Sequence, residues 1–402
     1  MKILLAHNYY RSSAPSGEDA VFRNERTLLE RNGIEVIPYE RFNDDIDEST
    51  TTKRIRLALN YAWSGETYRE VSALIRRTRP DLAHFHSIFP LISPSAYAAC
   101  QDAGVPVVQT LHNFRFVCPG AMLLRNGRPC EECLASSLLP ALLHRCYRDS
   151  FAATLSQVWT IVSNRRRGTY RNLVNHYIAL TEFASGRLSA GGLPPKRMSV
   201  KPNFLPDPPS AGSGEGGYAA YVGRLAGEKG VRTLLSAWRA FPDFPLKMAG
   251  DGPLRKELTE IIEREGLNVE LLGTLNRAEL VDMVGGASMQ IVPSECYEGF
   301  PLVVLEALAC GTPLVASRIG SLDEIVEDGV TGVKFAPGDP AALAEKVGGL
   351  LAYRQRLGIM RRRSRALFEN SYTAEMNFTK IMDIYRRVLD GHAGNREQRY
   401  RS

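Results

Sequence analysis

Residues 289–317 read MQIVPSECYEGFPLVVLEALACGTPLVAS. A short apolar run closes at Pro293 and Ser294, and a polar turn containing Gly299 follows. "PLVVLEALACG" then gives a helical segment that stops at Gly311, and "TPLVAS" is apolar again. Strand, turn, helix and strand, with strands apolar on both faces, is the unit from which a parallel α/β sheet is built. Inside it stand two carboxylates, Glu298 and Glu306, eight positions apart.

The alternation continues in both directions. Upstream lie the strands "YAAYVGR", "FPLKMAGDGP" and "VELLG", separated by the helical patterns "GVRTLLSAWRAF", "LRKELTEIIEREG" and "RAELVDMVGGA". Downstream lie a short helix near "GSLDEIVEDG", the strand "TGVKFA" and the helix "DPAALAEKVGGLLA". Residues 217–375 therefore read as one α/β domain. Before it, residues 204–216 are rich in Pro, Gly and Ser and read as a linker. Residues 1–203 repeat the texture, with strands at "KILLAH", "IEVIPYE", "DLAHFH" and "VPVVQTLH" and helical patterns at "EDAVFRNERTLLERNG" and "SPSAYAACQDAG". The expected fold class is α/β, two doubly wound Rossmann-like domains, with residues 376–402 forming an amphipathic helix and a disordered polar tail. Ligands of open α/β sheets bind beyond the carboxyl ends of the strands, so the cleft between the two domains is the expected active site.

With 402 residues, 44% apolar and 23% charged, the composition is that of a soluble globular protein. The N-terminus lacks a secretory signal pattern, and no run of about 18 uncharged apolar residues suits a spanning helix, so a cytoplasmic protein is expected. The net charge of +6 is concentrated. Residues 134–200 hold nine Lys/Arg against two acids, a local +7 that suits anionic lipid, a phosphorylated substrate or nucleic acid.

In "YVGRLAGEKG" a strand ends at Gly223 and is followed by Arg224 and Lys229. Two cations on flexible backbone at a strand's carboxyl end suit a diphosphate, Arg forking two oxygens and Lys acting as a point charge. Gly250 in "AGDGP" allows close backbone approach after the next strand, though a tight turn is the plainer alternative. Pro301 is expected as the first helical residue, its fixed φ and missing N–H costing nothing there. Free amides at Phe300, Pro301's successor Leu302 and Val303 then favour an anion. Glu298 precedes that helix and Glu306 leans back toward its start, so both acids can line one pocket and accept from sugar hydroxyls. The alternative is that they cap backbone amides or pair with Arg224 or Lys229.

"GRLAGEKG", "AGDGP", "PSECYEGFPLVVLEALACGTPLVAS" and "DGVTGVKF" together resemble the family-4 retaining glycosyltransferases of GT-B fold, with the E-x7-E pattern carried by Glu298 and Glu306. The resemblance is strongest over residues 216–375. It implies a nucleotide-diphosphate-sugar donor, UDP- or GDP-linked, with Arg224 and Lys229 on the diphosphate, Glu306 on the ribose and Glu298 on the transferred sugar. The amides of Gly299 to Leu302 would touch sugar and phosphate. Two fixed cations and a helix N-terminus neutralise the leaving group without a metal, so no catalytic metal is expected. Retention at the anomeric carbon is implied, and no side chain is named as nucleophile.

In the first half, His7, His86 and His112 fall at predicted strand ends and are expected to point toward the cleft, with a structural role the plainer alternative for His7 and His86. His112, in "VVQTLHNF", matches the family's histidine, which the resemblance places on the donor sugar. "APSGEDAVF" resembles the family's glycine loop, so Gly17 would admit the diphosphate. Asp45 and Asp47 spell a DxD in a polar loop and read as solvated surface.

Cys118, Cys130, Cys133 and Cys146 are spaced C-x11-C-x2-C-x12-C. A cytoplasmic setting disfavours disulfides, and C-x2-C with two outlying thiols suits a structural zinc within an insertion over 118–146. Beyond it, Phe151, Leu155, Val158, Trp159 and Val162 recur at helical spacing and run into Arg165, Arg166 and Arg167. Such a stripe either packs on the first domain or lies on an anionic membrane surface beside a glycan or lipid-linked acceptor. The expected function is sugar transfer in surface polysaccharide or glycolipid synthesis. The rivals are a nucleotide-sugar epimerase of the same fold and a zinc-knuckle nucleic-acid binder. The basic residues lack interleaved aromatics, so no nucleic-acid partner is expected.

Overall fold

The structure, a computed structural model, describes residues 1–13, 16–135 and 137–401, with side chains described throughout except at residues 135 and 394–401. The chain forms two compact units: Met1–Leu123, Cys130–Pro202 and the C-terminal stretch from Glu375 make the first, and Asn203–Ala374 with Leu124–Pro129 make the second. Fourteen strands are present among the described residues: β1 Lys2–Tyr9, β2 Glu35–Phe42, β3 Leu82–Phe85, β4 Val107–Leu111, β5 Leu124–Arg125, β6 Arg128–Pro129, β7 His176–Ala179, β8 Met198–Val200, β9 Ala219–Val222, β10 Leu246–Ala249, β11 Val269–Gly273, β12 Met289–Val292, β13 Leu314–Ser317 and β14 Gly332–Phe335.

The first unit's sheet is ordered β2-β1-β3-β4-β7-β8, every pair parallel. The order reverses between β1 and β3, and that reversal opens a crevice at the strands' carboxyl ends. The central strands earn their positions by composition: seven of the eight residues of β1 are buried, and all of β3 and β4. The helix Gly17–Arg31 that follows β1 begins at a capping box between Ser16 and Asp19. The sheet's core is shared with the end of the chain: Ile3, Leu5, Phe22, Leu82, Val108 and Ile178 pack with Ile381, Ile384, Tyr385 and Val388. These last four lie on the helix Ala374–Arg401, whose backbone runs on through the stretch expected to be a disordered tail.

The second unit's sheet is ordered β11-β10-β9-β12-β13-β14, again fully parallel, and reverses between β9 and β12. Trp238, Met248, Leu258, Ile291 and Leu343 are among the side chains that fill its core. The segment expected as a free linker is built into this unit. Phe204 and Leu205 are buried, and the amides of Gly212, Gly214 and Gly216 donate to the carbonyls of Cys310, Gly285 and Gly286 at 2.9, 3.0 and 2.9 Å. Arg361 clasps the same strip by donating to Gly212, Gly285 and Ala287 carbonyls. A β-carbon on Gly212 would sit 2.2 Å from the Gly285 oxygen, so this zipper needs its glycines.

Candidate functional site

In the second unit, the sheet reversal puts two loops side by side, 223–230 after β9 and 293–301 after β12. Gly230 welds them, with φ 69° and a position where a β-carbon would lie 1.8 Å from the Pro293 oxygen. Lys229 is thereby set against Glu298, Nζ donating to Oε1 at 2.6 Å, and the Ser294 hydroxyl donates to the same oxygen at 2.7 Å. Burial alone would lower the Lys229 pKa, but the Glu298 carboxylate outweighs it and holds the ammonium above its ordinary range. Arg224 is exposed and pairs with Glu228 four residues on, and its carbonyl accepts from the Tyr221 hydroxyl at 2.9 Å. Gly223 and Gly250 lie at neighbouring strand ends. A β-carbon on Gly250 would be 1.9 Å from the Gly223 oxygen, so the chain's own crossing accounts for that glycine.

The helix after Glu298 spans Leu302–Cys310, with Pro301 as its N-cap rather than its first residue. Pro301 carries φ −68° and ψ 128°, so the chain is still extended there and the helical turn begins one residue later than the sequence suggests. Phe300 is buried against Tyr372, and its carbonyl accepts from Asn203 at 2.9 Å, fixing the backbone that presents Gly299, Pro301 and Leu302. Glu306 occupies the fifth position of the helix. Among the described residues its carboxylate makes no hydrogen bond or ion pair. Burial pushes its pKa up to about 7, only partly offset by Arg277. Glu298 and Glu306 thus differ: Glu298 makes the ion pair with Lys229 that the sequence left as the alternative to sugar binding, while Glu306 is half-buried and has no such partner among the described residues.

In the first unit, Gly17 opens the helix, and a β-carbon there would meet nothing within 4 Å. The chain's own packing does not require glycine at 17. Ala14 and Pro15 of the same loop lie outside the described residues. Glu18 receives the Ser87 hydroxyl and the Asn113 side-chain amide, the latter at 2.9 Å. Asp19 closes the helix cap and binds His7 Nε2 at 2.9 Å. His7 is consequently turned into the interior, stacked on Phe22, and does not point outward as its strand position suggests.

His86 and His112 belong to a buried chain of contacts. Glu25 is ionised despite complete burial, because Lys201, His86 and His84 together hold its pKa well below the ordinary carboxyl range. His86 Nε2–H donates to Glu25 Oε1 at 2.9 Å, and Lys201 donates to Oε2 at 2.8 Å and to Asn377 Oδ1 at 3.1 Å. His84 holds the Tyr385 hydroxyl at 2.7 Å and Thr110 at 2.8 Å. Burial pulls the pKa of His86 down to about 4 and that of His112 to about 3, so both rings are neutral near pH 7. One proton per ring then fixes the tautomers. With His86 donating through Nε2, its Nδ1 must accept, and the partner at 2.9 Å is His112 Nε2–H. His112 Nδ1 is left as a bare acceptor. The ring lines a hollow of about 320 Å³, counted out to open solvent, with Tyr10, Ser87, Asn113 and Arg115. The sequence reading missed Glu25, Lys201 and Tyr385 altogether.

Glu25, His84 and His86 also offer three metal-ligand atoms within 4.8 Å of one another, but Lys201 already supplies the positive charge at that carboxylate. The four cysteines of the insertion are neighbours in space. Cys133 lies near Cys118, Cys146 and Cys130, and a β-carbon on Gly120 would lie 3.8 Å from the Cys146 β-carbon and 3.9 Å from the Cys118 sulfur. Burial raises the pKa of the Cys118 thiol, with neighbouring backbone N–H groups offsetting part of the rise, and the Ala121 N–H donates to the Cys118 carbonyl at 2.9 Å. Among the described residues the four thiols do not form a group with three ligand atoms inside 4.8 Å, so they stand wider apart than in a filled tetrahedral site. Asp47 binds Lys53 and the Ser49 amide on the surface, as the solvated reading of the DxD has it.

Comparison with known proteins gives the following. Residues 208–366 match the family model described as glycosyl transferases group 1, and residues 20–207 match that described as glycosyltransferase family 4. Glycogen synthase of Mycobacterium tuberculosis is 31% identical over 282 residues, 69% of this chain and 61% of that protein. An uncharacterized glycosyltransferase of Methanocaldococcus jannaschii is 36% identical over 135 residues, 33% of this chain and 38% of that one. The chain therefore spans less than two thirds of the length of these relatives. Among solved structures, sucrose-phosphate synthase from Thermosynechococcus elongatus superposes with a TM-score of 0.70 at 17% identity, over 97% of this chain and 100% of that one. Anabaena HepE in complex with UDP does so with a TM-score of 0.66 at 18% identity, over 95% and 99%.

Proposed function

The chain belongs to glycosyltransferase family 4 and has the GT-B type of fold, and from that premise we propose that it transfers a sugar, with retention, from a UDP- or GDP-linked donor to a glycan or lipid-linked acceptor in surface polysaccharide or glycolipid synthesis. The observation that carries this reading is Glu306, half-buried and without a hydrogen bond or ion pair among the described residues, on the Leu302–Cys310 helix that starts beside Lys229 at the sheet reversal. HepE is solved with UDP and with UDP-glucose, which supports a nucleotide-sugar donor.

In the proposed reaction the acceptor oxygen bonds to the anomeric carbon as the bond from that carbon to the diphosphate oxygen breaks. The electron pair goes to the diphosphate and the acceptor proton leaves with it. Negative charge therefore grows on the leaving group, where Lys229, Arg224 and the first-turn amides stabilise it. Glu298 and Ser294 take the transferred sugar's hydroxyls, Glu306 takes those of the ribose, and the bare Nδ1 of His112 accepts from a sugar hydroxyl. Glycine at 17 leaves room for the diphosphate to approach the backbone. A thermal-unfolding screen of UDP- and GDP-linked sugars is expected to single out one donor, with a stabilisation of about 2.7 kcal/mol at a hundredfold excess over Kd. Slow release of free nucleotide from that donor should follow. If no nucleotide sugar shifts unfolding, the assignment fails.

We also propose that Cys118, Cys130, Cys133 and Cys146 hold a structural zinc. The four thiols are neighbours in space, and six of the seven non-glycine residues with positive φ among the described residues fall between Ala121 and Asp149. Backbone held in that region costs on the order of 1–3 kcal/mol per residue and needs an external constraint. Zinc would draw the sulfurs to about 2.3 Å from the metal. Protein purified with reductant and without chelator is expected to carry one zinc per chain, lost in Cys130→Ser with a lowered unfolding temperature. Folded wild-type protein that is zinc-free and indifferent to added zinc overturns the proposal.

A further inference from the structure

The helix Phe151–Arg166 is built inside out. Of its six buried residues five are polar, Thr154, Gln157, Thr160, Ser163 and Asn164, while Phe151, Leu155 and Trp159 face solvent at i, i+4 and i+8. Most of the buried polar groups find partners: Thr154 and Thr160 donate to the carbonyls four residues back at 2.8 Å, and Asn164 donates to the Ala62 carbonyl at 3.1 Å while its Oδ1 has no partner among the described residues. Two helices packed against it do the same on a smaller scale. Thr51–Ala62 exposes Ile55 and Leu59, and Leu139–Leu143 exposes Leu139 and Leu143, each an i, i+4 pair on one face. These seven side chains are between 46% and 79% exposed, and they make up seven of the eleven large apolar residues exposed among the described residues. Apolar surface on this scale, gathered on three adjacent helices, marks an interaction site.

The charges identify the partner. The three helices carry Lys53, Arg54, Arg56, Arg165 and Arg166 and not one acid. Arg56 and Arg166 are exposed and make no ion pair among the described residues. Lys53 is paired with Asp47 at the edge of this face, but two copies of the chain meeting through it would still bring Arg56 and Arg166 against like charges. A bilayer with anionic lipid matches both features at once: apolar side chains enter the headgroup–acyl boundary and the cations stay at the lipid phosphates. No helix of the described residues is long and apolar enough to cross a membrane, so the contact is one of docking.

We propose that the face formed by the helices Thr51–Ala62, Leu139–Leu143 and Phe151–Arg166 docks the first unit on an anionic lipid surface. The proposal deepens the reading of a lipid-linked acceptor and is tested apart from it. The wild-type chain is mixed with phosphatidylcholine vesicles and with vesicles containing about 30% phosphatidylglycerol, then sedimented. Sedimentation with the anionic vesicles only, weakened by salt, is expected, together with a blue shift of tryptophan emission that is lost in Trp159→Phe. The triple variant Phe151→Ser, Leu155→Ser, Trp159→Ser should lose at least about tenfold in vesicle affinity while its nucleotide-induced thermal shift is unchanged. The proposal is overturned by absence of binding to the anionic vesicles, by equal binding of the triple variant, or by a light-scattering mass of a dimer that the triple variant converts to monomer. Loss of the nucleotide shift in the wild type would instead strike the donor reading and leave this one standing.

Discussion

Replacing Lys229 by alanine is expected to lower sugar transfer, or hydrolysis of the donor, by about two to three orders of magnitude, with the circular dichroism of the fold retained. The ammonium is held in place by Gly230, whose contact with the Pro293 carbonyl no other residue could make, and is kept charged by Glu298 at 2.6 Å. In the proposed reaction, removing it deletes a fixed cation where the leaving diphosphate would gather charge. A donor of this kind typically contributes about 2.7–4 kcal/mol in the transition state. Glu298→Ala is expected to produce a loss of similar size for a different reason, since the sugar loses its hydroxyl acceptor and Lys229 loses the carboxylate that positions it. Single-turnover rates at saturating donor separate chemistry from binding. Full activity in both variants would remove the catalytic assignment.

Glu306→Gln is expected to weaken nucleotide binding by about 10- to 100-fold, the scale of losing charge-assisted hydrogen bonds to two hydroxyls. The same change should stabilise the ligand-free protein. The folded-state pKa of Glu306 is raised from 4.5 to about 7 by burial. A raised pKa contributes stability that is fully present below about pH 4.5 and is lost as pH rises through about 7. Above that pH the ionised carboxylate costs the fold on the order of 3 kcal/mol. Urea unfolding at pH 8 should therefore show the glutamine variant more stable than the wild type, with the difference vanishing below pH 4.5. Wild-type nucleotide affinity should fall as pH drops through 7, and the variant's should not. A variant that loses affinity without gaining stability would make Glu306 a packing residue.

The β-α-β unit of residues 289–317 was legible because its periodicity and its glycine stop are local. The two acids stood out in that apolar run, but periodicity could not say that Glu298 would pair with Lys229, 69 positions away, and Glu306 would not. The strands β7 and β8 were not legible: "HYIA" and "MSV" are four and three residues long and become strands only by pairing with β4 and with each other. Glu25 was invisible for a related reason. On the helix Gly17–Arg31 it looks like one more surface acid, and the residues that bury and ionise it, Lys201 and, through it, Asn377, are each separated by 176 positions from the preceding link. The linker misled in the opposite sense. Gly and Ser suggest slack chain, yet glycines 212, 214 and 216 are there to let backbone lie against Gly285 and Gly286, a pair concealed at the end of a helical pattern. The stripe on residues 151–162 was visible as apolar, but its direction was not, since period alone does not say which face of a helix the protein keeps.

The return of the last helix to the first sheet has a consequence for how the chain is made. A ribosome releases residues 1–203 long before Ile381, Ile384, Tyr385 and Val388 exist, and those four complete the packing of Ile3, Leu5, Phe22 and Leu82. Ordinarily the unit synthesised first folds first. Here Asn203–Ala374 leaves the ribosome before those four residues do, and the earlier-born sheet waits with an uncovered apolar flank and an unclasped Lys201 until the helix that begins at Ala374 is made. The nascent protein matures from its middle outward.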